Sequence, residues 1–72
     1  MNKHKRVKLV QEGQYVAEVD VELREDQMGW SPYLTVEDAR KLDDVRAALR
    51  RGDLNSATRI ARLYEMRPIA SP

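Results

Sequence analysis

"VKLVQEGQYVAEVDVEL", residues 7–23, decides the fold. Tyr15, Ala17, Val19, Val21 and Leu23 alternate with Val16, Glu18, Asp20, Glu22 and Arg24, giving one apolar face and one mostly charged face. Val7 and Leu9 alternate with Arg6 and Lys8 in the same way. Between the runs, Glu12-Gly13 supplies a residue that takes φ > 0 in a tight turn. The stretch therefore reads as a β-hairpin. Its covered face is expected to hold Val7, Leu9, Tyr15, Ala17, Val19, Val21 and Leu23. On the wet face, Arg6 and Lys8 are expected near Glu18, Asp20 or Glu22, where each opposite-charge pair is worth about 0.2–1 kcal/mol.

The second strand reads as longer than the first, so residues 20–24 need another neighbour. The candidates are the tail Arg67–Ala70, the segment at Tyr33-Leu34, or the same strand of a second chain.

Downstream the period changes to that of a helix. In "TVEDARKLDDVRAALRRG", Thr35 is a good N-cap, and Glu37 and Asp38 complement the positive helix start. Val36, Ala39, Leu42, Val45, Ala48 and Leu49 form the apolar stripe. Arg50 and Arg51 close the last turn, and Gly52 is a natural residue just past it. Asp53 then caps a second expected helix, "LNSATRIARLYEM", with Leu54, Ala57, Ile60, Ala61 and Tyr64 on one side and Asn55, Thr58, Arg59 and Arg62 on another. Pro68 ends any helix. The predicted order is β-β-α-α, an α+β two-layer domain with both helices on the apolar face of the hairpin.

Between hairpin and helix lies "GWSPYL", residues 29–34, with the only tryptophan. Ser31 before Pro32 is pushed towards an extended backbone, so the connector is stiff. With no Phe in the chain, Trp30 and Tyr33 are large apolar bodies held in fixed directions. They serve either as a plug for the core or as a patch for a partner. Trp30, beside Gly29 and the polar "REDQ", is the better candidate for contact.

At 72 residues the chain is a single domain, with an ordered core expected over about 6–67 and flexible ends. A chain of this size buries only about 60% of the surface its unfolded form exposes. With no Cys, disulfides and thiolate metal sites cannot supplement the core, leaving packing or self-association. No apolar run approaches the roughly 20 residues that span a bilayer, and the basic start lacks the apolar stretch of a secretory signal. The expected compartment is the cytoplasm. Charge is segregated: residues 1–12 hold four basic residues against one acidic, residues 13–45 three against nine, and residues 46–72 six against two. That pattern suits self-association, a charged protein partner, an anion held by the basic ends, or simple solubility.

Chemistry is sparse. The single histidine, His4, falls in what reads as a basic tail. Adjacent carboxylates at Glu37-Asp38 and Asp43-Asp44 do not share a helix face, and they lack the opposed geometry of a general acid and base. Gly13, Gly29 and Gly52 are isolated turn glycines rather than a phosphate loop. No enzyme, cofactor, metal, membrane or small-molecule role is indicated. Nucleic acid is an alternative: "LRRGDLNSATRIARLY" reads as helix, tight turn, helix, with Thr58, Arg59 and Arg62 available on the second element.

From about Val7 to Ala70 the chain resembles a family of very short, functionally unassigned bacterial proteins. The resemblance is carried by "GWSPYL", "KLDDVRAALRRGDL" and "ATRIARLYEMRPIA" in that order. It implies the role of a small antitoxin-like partner of a toxin-like protein. Over residues 12–49, "EGQYVAEVDVEL" and "TVEDARKLDDVRAAL" also resemble the HicB-type antitoxin half-domain, although "REDQMGWSPYL" replaces that family's proline-glycine connector. Neither resemblance supplies active-site residues. The expected function is a non-enzymatic protein-interaction module, antitoxin-like and homodimeric, with Trp30, Tyr33, Val21 and Leu23 as partner contacts. The alternatives are a DNA-binding module using the second helix and a small homodimeric structural protein with no separable activity.

Overall fold

In the computed structural model, the described residues are 3–24 and 33–70. An antiparallel hairpin, β1 (Lys3–Glu12) and β2 (Tyr15–Arg24), is followed by two helices, α1 (Val36–Arg51) and α2 (Leu54–Ile60). This is the α+β arrangement predicted from the sequence. Two short strands complete the sheet: β3 (Tyr33–Leu34) and β4 (Arg62–Glu65), both antiparallel to β2. They occupy the same edge of β2, β4 against Tyr15–Glu18 and β3 against Leu23 and Arg24. Tyr33-Leu34 is thus the segment that borders the far end of β2, as one of the three expectations had it.

The hairpin turn is Gly13-Gln14, with Glu12 opposite Tyr15. Gly13 has φ of 60° and no described non-glycine residue has positive φ, so only the first central position needs glycine. That two-residue loop sets Val10 opposite Ala17, Lys8 opposite Val19 and Arg6 opposite Val21. Even-numbered residues of β1 therefore share the inner face with odd-numbered residues of β2. Val7 and Leu9 lie on the outer face, opposite Asp20 and Glu18. This corrects the expected faces: Val7 and Leu9 are exposed, and Arg6 and Lys8 lie on the helix side rather than against the acidic residues. The correction has one cause. A two-residue loop pairs even with odd positions, and alternation alone does not specify the loop.

Two further expectations change. The first strand is not shorter than the second, because the basic segment from Lys3 onward is itself strand, with His4 opposite Leu23 rather than in a tail. The second helix stops at Ile60, after which Ala61 is extended (φ −144°, ψ 164°) and the chain enters β4. Leu63 turns inward against the core and Tyr64 outward, where a continued helix would have buried Tyr64. Pairing with the otherwise open edge of β2 overrides the local helical pattern.

The core is Val10, Ala17, Val19 and Val21 from the sheet, Val45, Ala48 and Leu49 from α1, and Ala57 from α2. The side chains are small, so helix and sheet approach closely. Leu42, Leu54, Ile60, Leu34 and Leu63 close its margins. Thr35 caps α1 by accepting from the Asp38 amide at 3.1 Å. At the other end Gly52 is left-handed at φ 74°, and the Asp53 amide donates to Ala48 at 2.8 Å, the bond pattern of a Schellman end. Asp53 at once caps α2, accepting from the Ser56 amide and hydroxyl at 3.2 and 2.6 Å. One dipeptide thus ends one helix and starts the next, which fixes the corner.

Candidate protein-interaction surface

Both helices pack on the inner face, leaving the outer face of the sheet without a covering layer among the described residues. Along β1 this face carries Lys5, Val7, Leu9 and Gln11; along β2 it carries Val16, Glu18, Asp20 and Glu22; β4 adds Arg62 and Tyr64. Leu9 is 67% exposed, Val7 49% and Tyr64 50%, with Val16 half-buried beside them. Single exposed apolar residues are ordinary, but several on one uncovered sheet face form a patch suited to a partner.

Charge organises the other half of that face. The Arg62 guanidinium reaches Asp20 at 2.9 and 3.1 Å and Glu18 at 3.3 Å. Glu18 is held below its ordinary carboxylate range, first by a hydrogen bond from the Tyr64 hydroxyl and then by Arg62. Asp20 is lowered chiefly by its hydrogen bonds from Arg62. The same contacts raise Tyr64 through Glu18, and raise Arg62 through Asp20 and then Glu18. All four groups are open to solvent, so this network sets local geometry more than global stability. It fixes β4 on β2 and neutralises much of the acidic face.

The residues predicted as partner contacts separate. Tyr33 is half-exposed on β3, opposite Arg24. Leu23 is half-buried and paired with Leu34. Val21, 3% exposed, belongs to the core and offers little surface to a partner. Trp30 lies outside the described residues. The stretch 20–24, expected to need another neighbour, lies on the central strand, with β1 on one side and Asp38 and β3 on the other. Among the described residues, the far edge of β1 carries no strand, and it is the longest such edge of the sheet.

Of the nucleic-acid alternative, Thr58 and Arg59 sit exposed on α2, where the Thr58 hydroxyl donates to the Asn55 carbonyl at 2.9 Å. Arg62 is not on that helix. It lies on β4 and is committed to Glu18 and Asp20, so the expected three-residue helical face does not form.

Val7, Leu9 and Tyr64 are the outer-face residues that the sequence reading placed inward, whereas Val16 stands on the charged face as the alternation predicts. For Val7 and Leu9 the signal is loop length: counting outward from Gly13-Gln14 as a two-residue turn puts them opposite acidic residues at once.

A groove of about 820 Å³ opens beside the start of α1. Its lining mixes Lys5, Arg6, Arg24 and Lys41 with Asp20, Glu22, Glu37 and Asp38, so it presents no field of one sign to a charged small molecule. Among the described residues no group of three His, Cys, Asp or Glu could hold a metal ion, and no helix is long and apolar enough to cross a membrane. Comparison with protein-family models, curated proteins and solved structures finds no match for this chain.

Proposed function

We propose that the chain is a non-enzymatic protein-interaction module whose working surface is the open edge of β1 with the apolar residues beside it. The observation that carries this reading is a ten-residue strand with one edge unpaired among the described residues, flanked by exposed Val7 and Leu9. Unpaired strand edges are templates for another strand: main-chain hydrogen bonds supply affinity, and alternate side chains supply selectivity. An antitoxin-type partner of a toxin-like protein is the form of such a module that the sequence resemblance suggests.

The test is capture from the native host, with and without nuclease, by the full chain and by a Val7→Lys, Leu9→Lys variant. Both substitutions fall on exposed outer-face positions, so the fold is retained. A stoichiometric protein retained by the first and lost by the second is the expected result. Equal retention by both would remove β1 as the working surface, and material that disappears on nuclease treatment would favour nucleic acid.

A further inference from the structure

The polarity of the β1 edge follows from the hydrogen bonds of β2. The Met66 amide donates to the Gln14 carbonyl at 2.6 Å, and the Glu22 amide donates to Asp38 at 2.7 Å. Even-numbered backbone groups of β2 therefore point away from β1, and its odd-numbered groups point towards it. In an antiparallel ladder the partners of those odd residues, which are the even residues of β1, complete the bonds. The N–H and C=O groups of Lys5, Val7, Leu9 and Gln11 then face outward. Arg6 itself donates to the outward Lys5 carbonyl at 3.1 Å.

Resting on the interaction-module reading, we infer that the occupant of this edge is a second copy of the chain, paired antiparallel to itself about a two-fold axis at Leu9. Charge selects the register. An axis at Arg6 sets Arg6 against itself, an axis at Val7 sets Arg6 against Lys8, and an axis at Lys8 sets Lys8 against itself. Like charges directly opposite one another are destabilising. At Leu9 the pairs are Leu9 with Leu9, Lys8 with Val10, Val7 with Gln11 and Arg6 with Glu12. No like charges face each other, and the last pair is opposite in sign. An axis at Val10 also avoids repulsion but leaves Val7 unpaired, so the Leu9 register is the longest permitted ladder. The basic residues that disfavour the other registers thereby specify this one.

The second layer is compatible with that seam. α1 rests against both β1 and β2, and its Arg50 reaches Glu12 at the end of β1 at 3.2 Å. A two-fold axis at the seam puts the two α1 helices about two strand spacings apart, ~10 Å, which is within the usual packing distance of helices. Such a dimer carries one continuous sheet, with Val7 and Leu9 of both copies gathered into a single patch on its outer face.

Because the chain has no cysteine, a single Leu9→Cys substitution reports the axis directly. The experiment is sedimentation equilibrium of the full chain, together with oxidation of Leu9→Cys and of Val7→Cys, with circular dichroism confirming each fold. A dimer that crosslinks through position 9 but not through position 7 is the expected result, since only residues on the axis meet their own copies within disulfide reach. Leu9→Lys should be monomeric wherever the unmodified chain is dimeric. A dimer that crosslinks through position 7, or through neither position, overturns the register. A chain that stays monomeric overturns the second copy as occupant. If that monomer still captures another protein lost by the Val7→Lys, Leu9→Lys variant, the module reading stands and this inference alone falls.

Discussion

The Asp38 carboxylate accepts the Glu22 amide at 2.7 Å, joining the first turn of α1 to the edge of β2 between β4 and β3. β4 leaves that edge at Glu18 and β3 reaches it at Leu23, so a side chain supplies the acceptor where, among the described residues, no strand runs. Asp38 is positioned by its own amide, which donates to Thr35, and by Lys41 at 3.8 Å.

Asp38→Ala should lower stability by about 1–3 kcal/mol, the cost of leaving a part-buried amide unpaired. Asp38→Asn keeps an acceptor and should cost less. Urea denaturation gives the magnitude, and faster hydrogen exchange at the Glu22 amide localises it. Unchanged exchange at Glu22 would show that this bond does not hold the two elements together.

The strand register makes neighbouring residues behave oppositely. Leu9→Asn should change stability by no more than about 0.5 kcal/mol when measured under dilute, monomeric conditions. Val10→Asn buries an amide in the core and removes apolar contacts, so a loss of about 2 kcal/mol or more is expected. Equal effects at the two positions would contradict the Gly13-Gln14 loop.

Gly52 has open space around the position of an added Cβ, so replacing it tests backbone strain alone. At φ 74°, Gly52→Ala should cost about 1–2 kcal/mol, with Gly52→Asn recovering part of that. Thermal unfolding of the two variants reads the difference.

Acid should weaken the outer face before it reaches the core. Glu18 and Asp20 are lowered from ordinary values of 4.5 and 3.8, so their contributions are complete above those values and lost as pH falls through the lower folded ones. Tyr64 is raised from 10.0, so its contribution is complete below that value and lost as the hydroxyl ionises at higher pH. Arg62→Gln should bring Asp20 most of the way back, and Glu18 only partly, because the Tyr64 hydroxyl is the larger cause at Glu18. Carboxyl titration by NMR distinguishes the two sites.

Leu49 is the largest of the buried side chains that α1 contributes. Leu49→Ala should cost about 2–5 kcal/mol, a severe loss for a domain whose total stability is on the order of 5–15 kcal/mol. A change below 1 kcal/mol, measured by denaturant unfolding, would mean that the small core readjusts around the cavity.

The hairpin, α1, its Thr35 cap and the Gly52-Asp53 corner were legible because each is written in local chemistry. A period of two marks the strands, a period near 3.6 marks the helix, a hydroxyl accepts an orphan amide, and a glycine tolerates positive φ. Those features depend on residues a few positions apart, so the sequence by itself determined them and, with them, the α+β class. Which apolar residues of β1 face inward depended on one residue more or less in the turn. Whether Tyr64 belongs to a helix or a strand depended on a vacant edge of β2, roughly fifty positions away in the chain. The surface went the same way: Val21 passed from contact to core, Leu9 from core to surface, and Arg62 from a helical face to the Asp20 pair. Strand pairing assigns each residue to a face only relative to its neighbour across the ladder, so those outcomes were decided by the tertiary structure alone.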